Sequence, residues 1–424
     1  ALIVQKFGGS SVADAESIRR VAKKIVETRL QGNEVVVVVS AMGDTTDELL
    51  DLASEVTSIP APRELDMLLT SGERISMALL AMAIKGLNAD AYSFTGSQAG
   101  MITTAEHGAA KIVDVTPGRV REALDEGAIA IVAGFQGFSR DSRDITTLGR
   151  GGSDTTAVAL AAALAADTCE IYSDVAGVFT TDPRMVGKAK KISYITSEEM
   201  LELAAAGSKI LHIRAVEYAR RHGVTLHVRS SFTNDKGTIV YNPEQGYPEG
   251  KKMEDPIVTG IATEINEAKV TVGGVPDIPG KAAQIFEIVA KTKANIDMIV
   301  QNVSAEDTKR TDISFTIPIN DGKKVIEALE NERDIIEYER LQYDDQIAKI
   351  AVVGAGMRTS AGVSAKLFRA LYEAGINIEM ISTSEIRISV VTKADLLEQA
   401  VQALHTAFGL DADEEAIVHA GTGR

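Results

Sequence analysis

The chain has 424 residues, which is too long for one small domain, so its length predicts two or three domains. It carries 44 lysines and arginines against 60 aspartates and glutamates, a net charge of −16, and 45% of its residues are hydrophobic. This balance is typical of a globular protein and excludes a binder of the nucleic-acid phosphate backbone. A locally basic pocket for a small polyanion such as a nucleotide stays open.

Cysteine content and apolar runs predict the compartment. The single cysteine, Cys169, excludes an intrachain disulfide and favours a reducing environment. The most apolar window, Ala157 to Ala166, is too short to span a bilayer, and the first residues, ALIVQKFGG, do not resemble a signal peptide. We therefore expect a cytoplasmic protein that neither spans a membrane nor binds nucleic acid.

Residues 2–240 alternate short β-branched runs with longer amphipathic stretches, which predicts a mostly parallel sheet covered by helices. The first helix is indicated by Ile18, Val21, Ala22 and Ile25, which recur at helical spacing. Five consecutive valines then indicate a central strand that is buried on both faces. The predicted strands are Leu2 to Val4, Val35 to Val39, Ala91 to Phe94, Ile129 to Phe135 and Cys169 to Tyr172.

The second half of the chain begins with a linker and contains a repeat. Residues 241–256 hold three of the ten prolines, which is typical of an interdomain linker. Beyond it, the stretch from Ala268 resembles the stretch from Ala348, with an offset that grows from 80 to 82 residues. Each copy reads as a strand, a glycine-containing loop, an amphipathic helix and a second strand. Two such units have open sheet edges, so we expect them to pair with each other or with another chain.

The first glycine-rich turn, KFGGSS at residues 6–11, lies between a predicted buried strand and a helix. Glycines there let a phosphate approach backbone N–H groups at the positive end of the helix, and Lys6 adds a mobile positive charge. The spacing of a Walker A loop is absent. An ordinary tight turn explains the segment equally well, so the residues alone leave both interpretations open.

The second glycine-rich turn, TLGRGGSDTT at residues 147–156, runs directly into the helix-forming AVALAAALAA. Three glycines around Arg150 at a helix start predict an anion cradle with a guanidinium fork, which suits a carboxylate or a phosphate. The alternative is that Ser153 or Asp154 caps the helix. Because a cap needs one polar residue and no Gly-Arg-Gly-Gly run, the spacing favours the anion site.

Three other features do not decide between function and structure. Glu73, in TSGERIS, could be a solvated carboxylate on the first turn of a helix. The strand that ends at Tyr172 leads through Gly177 to FTTDPR at residues 179–184, which fits a nucleotide lid or an ordinary polar loop. The histidines form no metal-ligand pattern, since the nearest pair, His222 and His227, flanks a predicted turn. No metal site in the protein is predicted.

Five motifs taken together are more specific than any one of them. They are KFGGSS, SAMGDTTD at residues 40–47, GER at 72–74, GRGGSDTTA at 149–157 and SDVAGVFTTDPR at 173–184, followed by the repeat. Their order closely resembles the aspartate kinase family over essentially the whole chain, and ISTSEIRISV at 381–390 resembles the second ACT domain of that family. Ala176 departs from the acidic residue or proline of many relatives. Phe179 replaces the more usual tyrosine, which keeps a ring to pack on a base.

The resemblance implies an α/β fold with three domains. Residues 1–240 would form an amino acid kinase domain, a three-layer αβα sandwich with a mainly parallel sheet, and residues 241–256 the linker. Residues 257–340 and 341–424 would form two α+β ferredoxin-like ACT domains.

The activity implied by the resemblance is transfer of a phosphoryl group from ATP, with Mg²⁺, to the side-chain carboxylate of L-aspartate. The product is 4-phospho-L-aspartate, in the first step of lysine, threonine and methionine biosynthesis. A carboxylate acceptor has a reference pKa of about 3.9 and is already ionised at pH 7, so the reaction needs no general base. This agrees with a sequence that shows no His or Cys dyad.

The residue roles are carried over from the family. Lys6 would neutralise the transferring phosphoryl group, Gly8 and Gly9 would cradle it, and Asp154 would orient Lys6 or the substrate. Arg150 would bind the carboxylate of aspartate and Glu73 its ammonium. The other residues assigned to aspartate are Ser40, Thr46, Gly151, Gly152 and Ser153, and those assigned to ATP are Lys6, Phe7, Gly8, Gly9, Ser173, Asp174, Phe179, Thr180, Thr181, Asp182, Pro183, Arg184 and Lys209.

The ACT pair is regulatory by resemblance, with lysine and threonine as the expected effectors. The residues themselves leave open that Asp277 only turns the loop before Pro279. Self-association through the ACT domains is expected, and an internal start at Met253 would give a small subunit and an α2β2 assembly. The effector contacts carried over are Asp277, Ile278, Pro279, Gly280, Lys281, Ala282, Gln301, Asn302, Asn377, Ile378, Thr383 and Ser384.

Two alternatives compete with this assignment. A kinase of the same fold that acts on glutamate or N-acetylglutamate would lack the tandem ACT tail, and acetylation would remove the ammonium that Glu73 suits. An ATP-independent amino-acid sensor would not need Lys6, Arg150 and the Asp182-Pro183-Arg184 set together. Aspartate kinase is the predicted function.

Overall fold

The computed structural model describes residues 1–251 and 256–418. They form two compact units, the first from the described residues up to 251 together with 412–418, and the second from 256–411. Met253, the predicted internal start, lies outside the described residues, as do the other residues of 252–255 in the predicted linker.

The first unit contains twelve strands and seven helices among its described residues. The strands are β1 Leu2–Phe7, β2 Glu34–Val39, β3 Ala91–Phe94, β4 Met101–Thr103, β5 Ile112–Val115, β6 Ile129–Ala133, β7 Gln136–Ser139, β8 Ile145–Thr147, β9 Thr168–Ser173, β10 Tyr194–Thr196, β11 Leu226–Ser230 and β12 Thr238–Tyr241. The helices are α1 Ala15–Leu30, α2 Thr45–Val56, α3 Pro62–Lys85, α4 Gly118–Asp125, α5 Gly152–Ala163, α6 Ser197–Ala205 and α7 Ile213–His222.

The main sheet has eight strands in the order β10-β12-β11-β9-β1-β2-β6-β3, and all neighbours are parallel except β11 and β12. All five strands predicted from the sequence belong to it. A smaller sheet has the order β5-β4-β7-β8. Because β1 is paired with β2 on one side and β9 on the other, their carboxyl ends meet at one edge, where parallel sheets place their ligands.

The valine run of β2 shows how both faces of the sheet are covered. Val35, Val37 and Val39 share an apolar cluster with residues of α1 and α3. Val36 and Val38 are equally buried and point to the opposite face, where α5 packs on β1, β2 and β9. Ten consecutive residues of α5 are buried, which is why its sequence from Ala157 onward is small and apolar on every side. The layered arrangement predicted from the sequence is confirmed.

Two strand ends differ from the predictions. β1 continues to Phe7, so Lys6 lies within the strand and the turn begins at Gly8. β6 ends at Ala133 rather than Phe135, because Phe135 has a φ of +74°, which no extended strand contains.

Helix α3 is the one helix among the described residues that is long and apolar enough to cross a membrane by length and composition. The sequence prediction did not single it out. Half of its apolar window is buried inside the unit, where it packs against α1 and β3. It also buries the carboxyl groups of Asp66 and Glu73, so we assign it as a core helix.

The second unit consists of two four-stranded antiparallel sheets, ordered β15-β16-β14-β17 and β13-β18-β20-β19. Its strands are β13 Gly260–Glu264, β14 Glu267–Pro276, β15 Ile299–Gln301, β16 Arg310–Pro318, β17 Arg340–Asp344, β18 Ile347–Val353, β19 Met380–Thr383 and β20 Arg387–Lys393. Its helices are α8 Lys281–Lys291, α9 Gly322–Asn331, α10 Arg333–Ile336, α11 Val363–Glu373 and α12 Leu397–Ala407.

The two repeats do not fold as two contiguous segments. β13, from the start of the unit, pairs with β18 in the sheet of the second repeat, while β17 pairs with β14 of the first. Residues 412–418 belong to the first unit, where Ala412 N–H donates to the Lys188 carbonyl oxygen at 2.8 Å. The domain limits 257–340 and 341–424 stay a prediction, which did not anticipate this exchange.

Equivalent residues of the two repeats pair reciprocally across the second unit. Lys269 lies 3.3 Å from Glu379, and Lys349, which occupies the matching position of the second repeat, pairs with Asp297. Lys349 also lies 3.5 Å from Glu267. The repeat detected in the sequence therefore has a pseudo-twofold counterpart in the packing of its two copies.

Candidate active site

The candidate site lies at the edge where β1, β2 and β9 end. β1 delivers Lys6 and the Gly8-Gly9 turn, β2 leads to Ser40 and the start of α2, and β9 leads to Asp174. The register pairs Phe7 with Tyr172, so the turns after β1 and β9 begin side by side. Residues of all five sequence motifs thus meet here or one element away, although they are far apart in the chain.

Lys6 and Asp154 form an ion pair at the centre of this edge. The Lys6 Nζ lies 2.8 Å from Asp154 Oδ1, and the two side chains are 14% and 11% exposed. Asp154 is in the first turn of α5, the helix beneath β1. The pair places a lysine ammonium at the mouth of the Gly8-Gly9 turn, where the sequence prediction needs it.

Glycines in the adjoining turns permit close backbone contact. A Cβ on Gly9 would lie 2.8 Å from the Gly43 carbonyl oxygen, and the Gly43 N–H donates to the Gly9 carbonyl oxygen at 3.0 Å. A Cβ on Gly72 would lie 2.8 Å from that of Ala41. Side chains at Gly9 or Gly72 would push these turns apart.

The loop before α5 presents Arg150 between two glycines with positive φ, Gly149 at +79° and Gly151 at +70°. A Cβ on Gly151 would lie 2.1 Å from the ring of His212, so this position excludes every other residue. Arg150 is exposed, and within the described part of the chain its guanidinium has no hydrogen bond or ion pair. A free guanidinium beside a helix N-terminus suits an anionic ligand.

Glu73 carries a buried carboxyl group on α3. The residue is 2% exposed, and its Oε2 has no hydrogen-bond partner among the described residues. Burial raises the pKa of Glu73 to about 8, against the opposing hydrogen bonds of the Ala41 amide and the Gln136 side chain. The solvated carboxylate considered from the sequence is wrong for Glu73, which instead offers an unpaired oxygen to a cationic ligand.

The other residues predicted to bind aspartate lie at the same edge. The Ser40 carbonyl oxygen accepts a hydrogen bond from Ser76 Oγ at 2.7 Å. Thr46 is half-buried in the first turn of α2. Gly152 and Ser153 are buried at the start of α5, and a Cβ on Gly134 would lie 2.8 Å from Ser153 Oγ.

The predicted nucleotide residues follow β9. Asp174 is 8% exposed and its Oδ2 is buried without a hydrogen-bond partner in the described structure. Thr180, Thr181 and Pro183 are buried, whereas Ser173 and Phe179 are half-buried. Asp182 and Arg184 are exposed and bind each other at 3.2 Å, so Arg184 is not a free cation. Lys209 is exposed.

The described residues contain no group of three or more His, Cys, Asp or Glu that could hold a metal ion. Mg²⁺ is commonly bound by substrate phosphates with one or two carboxylates rather than by an all-protein cage. Asp174, with its unpaired oxygen beside the Gly8-Gly9 turn, is the carboxylate that could share such an ion. Cys169 is fully buried, and burial raises the pKa of its thiol, as expected for a structural residue.

The sequence reasoning missed four residues around the Arg150 loop: Asp66, His107, His212 and Arg214. Asp66 accepts hydrogen bonds from Thr147, and Arg214 donates to the Leu148 carbonyl oxygen at 2.7 Å. The available signal was Asp66 itself, a charged residue two helical turns before Glu73 on the same face of the helix.

The second unit contains a cavity of about 350 Å³ at the N-terminus of α8. Asp277 to Ala282 and Gln301 line it, together with Thr311. Seven of the twelve predicted effector contacts therefore lie together. The Lys281 ammonium is already engaged, donating to the Ile335 carbonyl oxygen at 2.7 Å and to Glu337 at 2.8 Å. The remaining predicted contacts, Asn302, Asn377, Ile378, Thr383 and Ser384, do not line this cavity.

The fold and the site together define an amino acid kinase with a paired ACT module. The sequence matches the amino acid kinase family over residues 1–230 and the ACT domain over residues 270–332 and 350–408.

Individual proteins narrow this class. The aspartokinase of Mycolicibacterium smegmatis is 61% identical over 424 residues, which cover 100% of both chains. Two structures of Escherichia coli aspartokinase III, both 26% identical over 96% of this chain and 99% of theirs, superpose with TM-scores of 0.79 for the complex with aspartate and ADP (R-state) and 0.74 for the complex with lysine and aspartate (T-state). The chain belongs to the aspartokinase family, and its enzyme class is aspartate kinase.

Proposed function

We propose that this chain transfers the γ-phosphoryl group of ATP to the side-chain carboxylate of L-aspartate at the edge formed by β1, β2 and β9. The observation that carries the proposal is the buried, unpaired Oε2 of Glu73 at the edge that also presents the free guanidinium of Arg150. A free amino acid has an ammonium for the first and a carboxylate for the second. The E. coli enzyme complexed with aspartate and ADP supports this pairing of ligands.

The step itself requires no proton transfer. A carboxylate oxygen of aspartate forms a bond to the γ-phosphorus, the bond to the β-bridging oxygen breaks, and ADP leaves with the electron pair. Lys6 moves its ammonium between Asp154 and the transferring group, while the Gly8 and Gly9 amides hold the phosphate. Mg²⁺, when bound with the nucleotide, would neutralise phosphate charge, and Asp174 would hold it.

Residues 173–184 form the nucleotide side of the site in this proposal. The half-buried ring of Phe179 would pack on the base, and the Asp182-Arg184 pair would open so that Arg184 reaches a phosphate. Lys209 would add a second cation. Because these substrates belong to central amino-acid metabolism, we place the enzyme in the cytoplasm.

Regulation is assigned to the cavity beside α8. Its helix N-terminus suits an effector carboxylate and Asp277 an effector ammonium, which matches lysine or threonine. The lysine complex of the E. coli enzyme supports lysine; threonine rests on the resemblance alone. The open edges of β15 and β19, which expose Ile299 and Ile381, favour association of a second chain through the ACT sheets, and Met253 as an internal start would give the small subunit of an α2β2 assembly.

One assay tests substrate and regulation together. ADP release from ATP is measured with L-aspartate, L-glutamate or N-acetyl-L-glutamate, each with and without lysine plus threonine. We expect ADP release with L-aspartate but not with the other two substrates, and we expect lysine plus threonine to inhibit that release. Turnover of N-acetyl-L-glutamate at a similar rate would contradict the role of Glu73, and equal rates with effectors present would contradict the regulatory assignment.

A further inference from the structure

Asp66 is a buried carboxylate to which the function assigns no role. It lies on α3, seven residues before Glu73, and is 1% exposed. No lysine or arginine pairs with it within the described residues. A lone buried carboxylate is costly unless hydrogen-bond donors surround it, so the donors that it collects show what it holds in place.

Four donors from two loops converge on this carboxylate. Its Oδ1 accepts from Thr147 Oγ1 at 2.7 Å, and its Oδ2 accepts from the Thr147 N–H at 3.1 Å and the Gly108 N–H at 3.3 Å. The His107 Nδ1 lies 2.8 Å from the same Oδ2. Thr147 ends β8, three residues before Arg150, so Asp66 fixes both the backbone and the side chain at the root of the Arg150 loop.

Arg214, on α7, binds the same two loops. Its guanidinium donates to the Leu148 carbonyl oxygen at 2.7 Å and to the Ala110 carbonyl oxygen at 2.9 Å. The Ala110 N–H in turn donates to the Thr147 carbonyl oxygen at 3.0 Å. The loop that carries the exposed Arg150 is therefore held at Thr147 by Asp66 of α3 and at Leu148 by Arg214 of α7. Among the described residues, no hydrogen bond or ion pair joins Arg150 to Asp66 or Arg214.

We propose that Asp66 is a positioning residue for aspartate binding, acting through the loop that carries Arg150. This inference rests on the proposed role of Arg150 as the clamp on a substrate carboxylate. Asp66 also fixes the orientation of α3 relative to that loop, so the same carboxylate sets where Glu73 stands relative to Arg150. The recognised ligand has a carboxylate and an ammonium at a fixed separation.

The test compares steady-state kinetics of full-length variants. Asp66→Asn preserves size but replaces one acceptor oxygen with an amide NH₂ that faces donors. It should raise the KM for aspartate about tenfold and change the KM for ATP less than twofold. The matched control is Asp144→Asn, because Asp144 faces His107 at 3.6 Å and binds Arg63 at 3.0 Å but does not bond to Thr147. It should leave both constants within twofold of the wild type.

A milder pair of variants covers the case in which Asp66→Asn does not fold. Thr147→Val removes only the hydroxyl donor and should raise the aspartate KM severalfold. Thr147→Ser retains the hydroxyl and should keep the aspartate KM near that of the wild type. A merely structural role would move both substrates' constants, or kcat alone, and either result would overturn the proposal.

A double-variant cycle separates this proposal from the function beneath it. If Asp66 acts through Arg150, Asp66→Asn should add less than twofold to the aspartate KM in an Arg150→Ala background. A further tenfold rise in that background would refute the positioning role while leaving the clamp intact. If Arg150→Ala alone leaves the aspartate KM unchanged, the clamp fails and the positioning role fails with it.

Discussion

The ammonium of Lys6 lies 2.8 Å from Oδ1 of Asp154, so an ion pair joins the end of β1 to the first turn of α5. Both side chains are largely buried, which strengthens their attraction relative to a surface pair. In the proposed mechanism, Asp154 compensates the charge of Lys6 until a phosphate group binds. The pair keeps a cation at the proposed phosphate site in a protein whose net charge is −16.

Removing the Lys6 ammonium should lower the rate of the chemical step more than the affinity for substrate. Lys6→Met is expected to lower kcat about 100-fold, because a preorganised donor to the transferring phosphoryl group is lost. Steady-state assays of ADP release measure it. Lys24→Met serves as the control, since Lys24 donates to the Thr233 carbonyl oxygen at 3.0 Å, outside the site, and should keep kcat within threefold. A kcat near that of the wild type in Lys6→Met would refute the role.

The proposed role of Glu73 predicts that aspartate binding releases protons. Its pKa is raised to about 8 by burial, so the free enzyme holds this carboxyl mostly protonated at pH 7. An ammonium bound to Oε2 favours the ionised form, and binding should then release about 0.9 proton at pH 7 and almost none above pH 9. Affinity for aspartate should accordingly increase as the pH rises from 6 to 8.

Isothermal titration calorimetry in buffers of different ionisation enthalpy measures this release, with a non-hydrolysable ATP analogue present. Glu73→Gln cannot titrate and should show no such release. Equal proton release by Glu73→Gln and the wild type would show that another group titrates.

Gly151 tests the geometry of the Arg150 loop. Alanine there combines a φ of +70° with a Cβ only 2.1 Å from the His212 ring, so Gly151→Ala should reduce the free energy of unfolding by more than about 2 kcal/mol. Gly32→Ala is the matched control, because Gly32 has a φ of +91° but no atom within 4 Å of its Cβ position. It should cost about 1 kcal/mol. Urea unfolding of both variants checks this, and equal losses would exclude the contact with His212.

The reciprocal pairs of the second unit predict unequal effects at equivalent positions. Lys349 is 6% exposed, and its loss would leave the buried carboxyl of Glu267 without a cationic partner. Burial already raises the pKa of Glu267. Lys349→Met should therefore destabilise the protein by about 2 kcal/mol, whereas Lys269→Met, at a 22% exposed pair, should cost less than about 1 kcal/mol. Denaturant unfolding provides both values. Glu267→Gln should partly rescue Lys349→Met, and no rescue would mean that the stranded carboxylate is not the cause.

The central strands and the Gly-Arg-Gly-Gly turn could be predicted from the sequence because their signals are local. The valine run of β2 requires burial on both faces, and glycines around Arg150 require an unusual backbone. Even the repeat was visible from internal similarity. The roles of the site residues remain predictions, although Lys6, Asp154 and Glu73 lie where those roles need them.

What the sequence could not reveal depends on contacts between distant segments. Asp66 and Thr147 are 81 residues apart, and neither belongs to a pattern that points to the other. The burial of Glu73 depends on how α3 packs, which helix periodicity alone does not determine. The exchange of β13 into the second repeat's sheet likewise follows from strand pairing that is chosen only in the folded unit.

The central claim is that the site activates a carboxylate of L-aspartate by phosphorylation. Trapping the product with hydroxylamine, while measuring ADP in the same reaction, tests it most directly. We predict one aspartyl hydroxamate per ADP with L-aspartate, and neither product above background with L-glutamate or N-acetyl-L-aspartate. ADP formed without hydroxamate, or hydroxamate formed equally well from N-acetyl-L-aspartate, would contradict the account.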